Sequence, residues 1–197
     1  MSSDFLKKIA QNFYPKIVQN FFKLGVDFSL SIPYNKSIEK REVLIMEKIL
    51  VFDMDGTIAD LYGVENWLAD LRSENPRPYI LAKPLYDMDS LNIILELLKE
   101  QGWKIVVTSW LAKNSSAFYD EVVREAKRMW LNKYNFPFDE IHLVKYGTTK
   151  ANCTRKLGGF QILVDDNEKV RNGWTLGDTI NANENILKKL VDLLLTE

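Results

Sequence analysis

Residues 51–60, VFDMDGTIAD, are the stretch that decides the fold. An apolar, β-prone run leads into it, and we interpret residues 48–52 as a buried parallel strand that ends at Asp53. Because side chains alternate along an extended chain, Asp53 and Asp55 are expected to point the same way. Gly56 permits a sharp turn directly afterwards. Two carboxylates are therefore predicted at the carboxyl end of a strand, where open α/β sheets bind ligands.

The composition bounds the class of protein. The chain has 197 residues, enough for one domain with a sizeable core and a small appendage. Hydrophobic residues make up 46% and charged residues 27%, which is ordinary for a soluble globular protein. The formal net charge of −1 gives no electrostatic reason to expect a nucleic-acid partner, so nucleic-acid binding is not favoured.

Single residues narrow the class further. Cys153 is the sole cysteine, which excludes an internal disulfide and favours a reducing compartment. His142 is the sole histidine, so a histidine-rich metal site is excluded. No apolar run is long enough to span a bilayer, and polar residues interrupt the apolar residues of the amino terminus, unlike a signal-peptide core. We expect a cytoplasmic protein with no membrane partner.

The first 45 residues are interpreted as a segment separate from a domain at residues 46–197. Within residues 4–24, six apolar side chains at helical spacing predict an amphipathic helix: Phe5, Ile9, Phe13, Ile17, Phe21 and Leu24. Residues 25–45 have mixed polarity and are interpreted as a linker. We favour a helix that packs on the surface of the domain, and a homodimer or partner contact through this helix is the alternative.

From Met46 onward, strand and helix patterns alternate, which is typical of a parallel α/β sheet. The predicted strands are residues 48–52, 103–108, 141–144 and 160–164. Apolar residues at helical spacing predict helices within residues 64–71, 91–98, 118–130 and 186–194. A further short helix is expected at residues 150–157. The proline-containing sequence NPRP at residues 75–78 is expected to end the first of these helices.

The sequence DMDGT at residues 53–57 resembles motif I of the haloacid dehalogenase (HAD) superfamily, which consists mostly of phosphatases and phosphotransferases. The resemblance implies that Asp53 attacks phosphorus and that Asp55 is the general acid and base. It also implies a Rossmann-like three-layer α/β fold with a parallel sheet.

The same resemblance implies groups that hold the phosphate. Motif II is a Thr or Ser at the end of the next strand, and we favour Thr108 with Ser109 assisting, although strand alternation does not decide between them. Motif III supplies a lysine near the start of a later helix. Lys150 fits best, Lys145 is the second choice and Lys113 the third.

The sequence ILVDDN at residues 162–167 repeats the design of motif I and resembles motif IV. By position Asp165 is the better metal ligand, and Asp166 binds through water or holds the lysine. With Asp53 and Asp55, four carboxylates converge, and without a cation they raise one another's pKa values. Oxygen ligands that also bind phosphate favour Mg²⁺ as the cofactor.

A second resemblance is to small phage and bacterial HAD proteins grouped with 5′(3′)-deoxyribonucleotidases. It is carried by six stretches: DMDGTIADLYGVENWL, PYILAKPL, SWLAKNS, YDEVVREAK, YGTTK and ILVDDN. Residues 61–87 leave room only for a small helical cap. Its candidate substrate contacts are Trp67, Arg77, Tyr79 and Lys83, although the helical spacing of Trp67 also suits a core residue.

Together these features predict a Mg²⁺-dependent phosphomonoester hydrolase that forms an aspartyl-phosphate on Asp53. The expected substrate is a nucleotide or another small phosphomonoester. A polynucleotide end phosphatase or a phosphotransferase would use the same residues and is the alternative. A non-catalytic HAD-like binding protein is disfavoured, because no acid of motif I or motif IV is missing.

Overall fold

The structure, a computed structural model, describes residues 47–195. The predicted amino-terminal helix at residues 4–24 and the linker at residues 25–45 lie outside the described residues, and both stay predictions. The described chain contains a five-stranded sheet and a separate two-stranded antiparallel pair. The strands of the large sheet are β1 (Lys48–Phe52), β4 (Trp103–Trp110), β5 (Glu140–Val144), β6 (Phe160–Asp165) and β7 (Thr179–Asn181). The pair is β2 (Ala59–Asp60) with β3 (Lys83–Pro84).

Seven α-helices lie among the described residues, between and after these strands. They are α1 (Trp67–Arg72), α2 (Arg77–Leu81), α3 (Met88–Glu100), α4 (Ala117–Lys133), α5 (Lys150–Thr154), α6 (Glu168–Asn172) and α7 (Ile186–Leu195). A 3₁₀ turn, Arg155–Leu157, continues from α5. None of these described helices is both long and apolar enough to cross a bilayer.

The large sheet has the strand order β5-β4-β1-β6-β7, and every neighbouring pair is parallel. The chain runs outward from β1 through β4 to β5 and then returns to the other side of β1 as β6. This reversal makes β1 the topological switch point, beside which open α/β sheets form their ligand crevice. The prediction of a Rossmann-like α/β fold is confirmed.

The apolar run of β1 is continuous because both faces of the strand are covered. Ile49 and Val51 are fully buried in a cluster that includes Leu163 of β6. Leu50 and Phe52 alternate to the opposite face, where the ring of Phe52 meets that of Phe136 edge-on at 5.5 Å. A strand buried on both faces cannot slip or tilt easily, so it fixes the position of whatever follows it.

The segment between β2 and β3 contains two short helices, where the sequence pattern indicated one. Helix α1 ends at Arg72, before the proline sequence at residues 75–78, and a new helix, α2, begins within that sequence at Arg77 with Pro78 in its first turn. Proline is tolerated there because the missing N–H would have had no helical partner. The β2–β3 pairing closes the segment at its base. Its role as a cap stays a prediction.

Helix α4 buries only part of the predicted face: Ala126 and Trp130 are buried and Val122 is partly buried. Phe118 and Met129 are 80% and 60% exposed, whereas Tyr119, Val123 and Lys127 are buried. The pattern is ambiguous because apolar residues lie on both sides of this helix, and only its packing against α2 and the sheet selects one side. Helix α6 and strand β7 were not predicted, because five and three residues are too short to show a period.

Candidate active site

The turn after β1 requires glycine. Gly56 has φ +79°, and a Cβ there would lie 2.5 Å from Cε2 of Tyr62 and 2.8 Å from Oδ2 of Asp166. The next residue, Thr57, is fully buried. Its Oγ1 accepts a hydrogen bond from the Asp166 N–H at 3.1 Å and donates to Asp166 Oδ1 at 3.3 Å. The turn after β1 is therefore tied directly to the end of β6.

Three carboxylates converge at this edge of the sheet. Asp53, Asp165 and Asp166 each offer an oxygen, and the three oxygens lie within 4.8 Å of one another. The backbone N–H of Asp53 donates to Val164 O at 2.9 Å, which sets the ends of β1 and β6 side by side. The carboxylate of Asp55, also predicted as a metal ligand, is not in this group.

Lys150, the first residue of α5, lies between two of these acids. Its Nζ is 2.8 Å from Asp53 Oδ1 and 2.6 Å from Asp165 Oδ2, and the residue is only 3% exposed. Lys145, the second choice for the motif III lysine, is exposed and lies outside the cavity described below. The third, Lys113, lines that cavity, with its Nζ 5.6 Å from the centre of the Tyr146 ring.

The cluster has more negative charge than Lys150 alone balances. Burial and the nearby Asp53 carboxylate raise the pKa of Asp165 to about 6, although Lys150 opposes the shift. Burial likewise raises the pKa of Asp166. Burial alone would lower the pKa of Lys150, but the carboxylates of Asp53 and Asp165 outweigh it, so this pKa is raised. Three carboxylate donors with unbalanced charge fit Mg²⁺, which prefers oxygen ligands.

Asp55 is paired with a lysine that the sequence patterns did not single out. Nζ of Lys127, on α4, donates to Asp55 Oδ2 at 2.5 Å and to Ser109 Oγ at 2.9 Å. Burial raises the pKa of Asp55, and the ammonium of Lys127 opposes this. A signal existed in the sequence: Lys127 lies four residues after Val123 and three before Trp130, on the apolar face of the helix.

The two candidate motif II hydroxyls differ in position. Ser109 lines the cavity, whereas Thr108 does not. Both are fully buried, and Oγ1 of Thr108 has no hydrogen-bond partner among the described residues. Position at the cavity therefore favours Ser109 over Thr108, and the phosphate-holding role of either residue stays a prediction.

A cavity of about 480 Å³ opens over these groups. Its base, here called the cavity floor, consists of Asp53, Asp55, Asp165, Asp166 and Lys150. Its sides, here called the cavity wall, include Tyr62, Trp67, Arg72, Tyr79, Trp110, Lys113 and Tyr146. Two aromatic pairs stand in the wall: the rings of Tyr62 and Trp67 are 5.0 Å apart, and so are those of Trp110 and Tyr146.

The predicted substrate contacts divide into two groups. Trp67 and Tyr79 line the cavity, whereas Arg77 and Lys83 do not. Arg77 is held away by Asp70, at 2.6 Å, and by the carbonyl of Glu65, also at 2.6 Å.

Lys83 is exposed on β3. The cations in the cavity wall are instead Arg72 and Lys113. Trp110 and Tyr146 lie in the stretches SWLAKNS and YGTTK, but the sequence marked neither of them, nor Arg72, as a substrate contact. Only the fold brings them to the cavity.

No protein-family model and no curated protein matches the sequence. Among solved structures, the chain is similar to the crystal structure of D,D-heptose 1,7-bisphosphate phosphatase from Burkholderia thailandensis. The identity is 13%, the TM-score is 0.46, and the match covers 75% of this chain and 99% of that chain. A likeness of this extent carries no argument about function.

Proposed function

We propose that this protein is a Mg²⁺-dependent phosphomonoester hydrolase that forms an aspartyl-phosphate. The observation that carries the proposal is the convergence of Asp53, Asp165 and Asp166 around Lys150 at the base of one cavity. This donor set suits a divalent cation and a phosphate together. The resemblance of residues 53–57 and 162–167 to HAD motifs I and IV supports the same reaction class.

In the first step a carboxylate oxygen of Asp53 attacks phosphorus, and the bond from phosphorus to the leaving oxygen breaks. Asp55 donates its proton to that leaving oxygen. The raised pKa of Asp55 suits this role, because it keeps the carboxyl protonated at a higher pH than usual. Lys150 holds Asp53 in place and offsets the repulsion between an anionic nucleophile and an anionic phosphate.

In the second step water attacks the phosphorus of the aspartyl-phosphate. Asp55, now ionised, accepts a proton from the water, and the bond between phosphorus and Asp53 breaks to release inorganic phosphate. Mg²⁺ bound by Asp53, Asp165 and Asp166 would supply positive charge beside the phosphate oxygens. The hydroxyl of Ser109 lies on the same cavity and donates to a phosphate oxygen in this scheme.

The proposed substrate is a small phosphomonoester with a planar ring, such as a nucleotide. Two observations support this choice: the cavity is of a size that suits small molecules, and aromatic pairs stand on its sides. Aromatic side chains bind planar rings by stacking. The wall cations Arg72 and Lys113 suit a substrate that carries negative charge. The resemblance to deoxyribonucleotidase-like proteins points to the same class.

The reaction is tested with purified full-length protein and p-nitrophenyl phosphate. Phosphate release is expected with Mg²⁺ and is expected to disappear with EDTA. Rapid acid quenching should trap a phosphorylated protein that Asp53→Asn does not form. Activity that survives in Asp53→Asn would overturn the mechanism.

The substrate class is tested by comparing nucleoside monophosphates with aliphatic phosphates of similar charge. Ring-bearing esters are expected to have the higher kcat/KM. Oligonucleotides with a 3′-phosphate are included in the comparison. Preference for them over free nucleotides would replace the small-molecule proposal with an end-processing phosphatase.

A further inference from the structure

Lys127 is a fully buried lysine whose charge the reaction scheme above does not use. Burying an ammonium without a partner is strongly unfavourable, so a lysine in this position needs compensation. Lys150, the second buried lysine among residues 47–195, meets two carboxylates of the cavity floor. Lys127 meets a single carboxylate, Asp55, and one hydroxyl, Ser109. Both of these partners line the cavity, so Lys127 stands directly behind its surface.

The geometry fixes one oxygen of Asp55. Nζ of Lys127 is 2.5 Å from Oδ2 of Asp55, which holds that oxygen and with it the plane of the carboxyl group. The other oxygen, Oδ1, is then the one left to face a substrate in the cavity. Charge-assisted hydrogen bonds of this length are among the stronger ones in proteins.

The same ammonium also orients Ser109. Ser109 Oγ accepts the hydrogen bond from Lys127 at 2.9 Å, so the hydrogen of its own hydroxyl must point elsewhere. Because Ser109 lines the cavity, that hydrogen is available to an acceptor placed there. One cation thus sets the direction of two groups that would touch the substrate.

Lys127 is itself held rigidly. Its neighbours on α4, Val123 and Trp130, are buried, and the Trp130 Nε1–H donates to Ala82 O at 2.7 Å. The Tyr79 ring lies 5.0 Å from Nζ of Lys127, within the range of a cation–π contact. A rigid cation can hold a carboxylate in one orientation, whereas an exposed lysine samples many.

We propose that Lys127 is a positioning residue that orients Asp55 for proton transfer to the leaving oxygen and directs the hydroxyl of Ser109 into the cavity. This inference rests on the proposed function. It assigns to α4, a helix that contributes no residue to the cavity floor, a role in one chemical step. Loss of Lys127 should therefore lower kcat/KM most for esters whose leaving oxygen must be protonated.

The test compares two esters in the variant Lys127→Met. An alkyl phosphate has a poor leaving group that requires protonation, whereas 2,4-dinitrophenyl phosphate has a good one that leaves as an anion. General acid catalysis contributes about 10²–10⁴-fold, so kcat/KM for the alkyl ester is expected to fall by about 100-fold. For the activated ester the expected loss is about tenfold or less, because only the positioning of phosphate is affected. The quantity kcat/KM is used because it reports the step in which the leaving group departs.

The matched control is Lys133→Met, which removes an exposed lysine from the same helix and is expected to leave both values unchanged. Lys127→Gln, which keeps a donor but loses the charge, replaces the methionine variant if thermal melting shows that variant unfolded at the assay temperature. Equal losses for the two esters would overturn the positioning role. Failure of the proposed function is a separate result: the wild-type protein would hydrolyse neither ester, or Asp53→Asn would retain activity.

Discussion

The floor and the wall of the cavity are built in different ways. The floor consists of acids at the ends of the central strands β1 and β6, with Lys150 from the start of α5. The wall is assembled from the loop after β2, two short helices, the end of β4 with the residues after it, and the loop after β5. The floor residues Asp53, Asp165 and Lys150 are at most 8% exposed, whereas α1 buries no residue at all.

Under the proposed function, this difference assigns the chemical step to the floor and substrate recognition to the wall. The floor is held by strands that are covered on both faces and by ion pairs that are nearly dry, so its groups have little freedom to rearrange. Most of the wall is exposed or partly buried, with Tyr79 as a buried exception, so its exposed residues can be exchanged at small cost in stability. A change in the floor should therefore abolish the reaction, and a change in the wall should alter which substrate is taken.

The largest effect is expected at the floor from Asp53→Asn. Without the nucleophile, kcat for aryl phosphate hydrolysis should fall by about 10⁴-fold or more, as for removal of other nucleophiles. The measurement is phosphate release, with circular dichroism to show that the fold is retained. Asp178→Asn, an exposed acid outside the cavity, is the control and should remain active. Comparable losses in both variants would mean that the floor is not the reaction site.

A second effect at the floor concerns stability. Lys150→Met leaves the carboxylates of Asp53 and Asp165 buried without their shared cation. Breaking a buried ion pair on one side costs about 3–5 kcal/mol, so the free energy of unfolding in urea with EDTA should fall by about 3 kcal/mol. Saturating Mg²⁺ should reduce the difference, since it restores positive charge.

The matched control for that measurement is Lys145→Met, at the exposed lysine that also suited motif III by sequence. Its free energy of unfolding should stay within about 0.5 kcal/mol of the wild type. The opposite ranking of the two variants would contradict the assignment of Lys150 to the floor.

The wall should give a smaller and more selective effect. Trp67→Ala removes one ring of the Tyr62–Trp67 pair from the cavity. Loss of a stacking contact costs about 1 kcal/mol, so KM for a nucleoside monophosphate should rise by about fivefold to tenfold. KM for an aliphatic phosphate should not change. A general loss of activity toward both substrates would place Trp67 in the structural core instead.

The smallest effect is expected from Arg77→Met. Arg77 is occupied by Asp70 and does not line the cavity, and a partly exposed ion pair contributes about 0–1 kcal/mol. Its kcat/KM should stay within about twofold of the wild type. Arg72→Met is the comparison, because Arg72 does line the cavity, and its KM for a charged substrate should rise most at low salt. A larger effect from Arg77→Met than from Arg72→Met would show that Arg77, and not Arg72, contacts the substrate.

The sequence placed the residues that meet at the floor, because each lies at the end of an apolar strand or at the start of a helix; their roles stay predictions. Asp53 and Asp165 follow runs that are fully buried, and such runs are detectable in the sequence. Lys150 was chosen over Lys145 by its place in the motif order. By contrast, Lys127 belongs to no motif, and its helical spacing with Val123 and Trp130 was the only sequence signal for its burial.

The wall could not be predicted in the same way. Arg72, Trp110 and Tyr146 come from three separate parts of the chain and line one cavity only in the folded protein, where β4 and β5 pair. Arg77 was predicted as a substrate contact from its charge, but charge does not reveal that Asp70 lies close enough to hold it.

By itself the sequence determined the parallel α/β order, the strand that ends at Asp53 and the second acidic strand end at Asp165. These are local properties, set by apolar periodicity and by residues that follow directly along the chain. The tertiary structure alone decided that Lys127 belongs with Asp55, that Ser109 lines the cavity, and which side chains form its wall. Such contacts join residues far apart in sequence, and their selection depends on which face of each helix is buried. That choice is made by packing, which no local pattern contains.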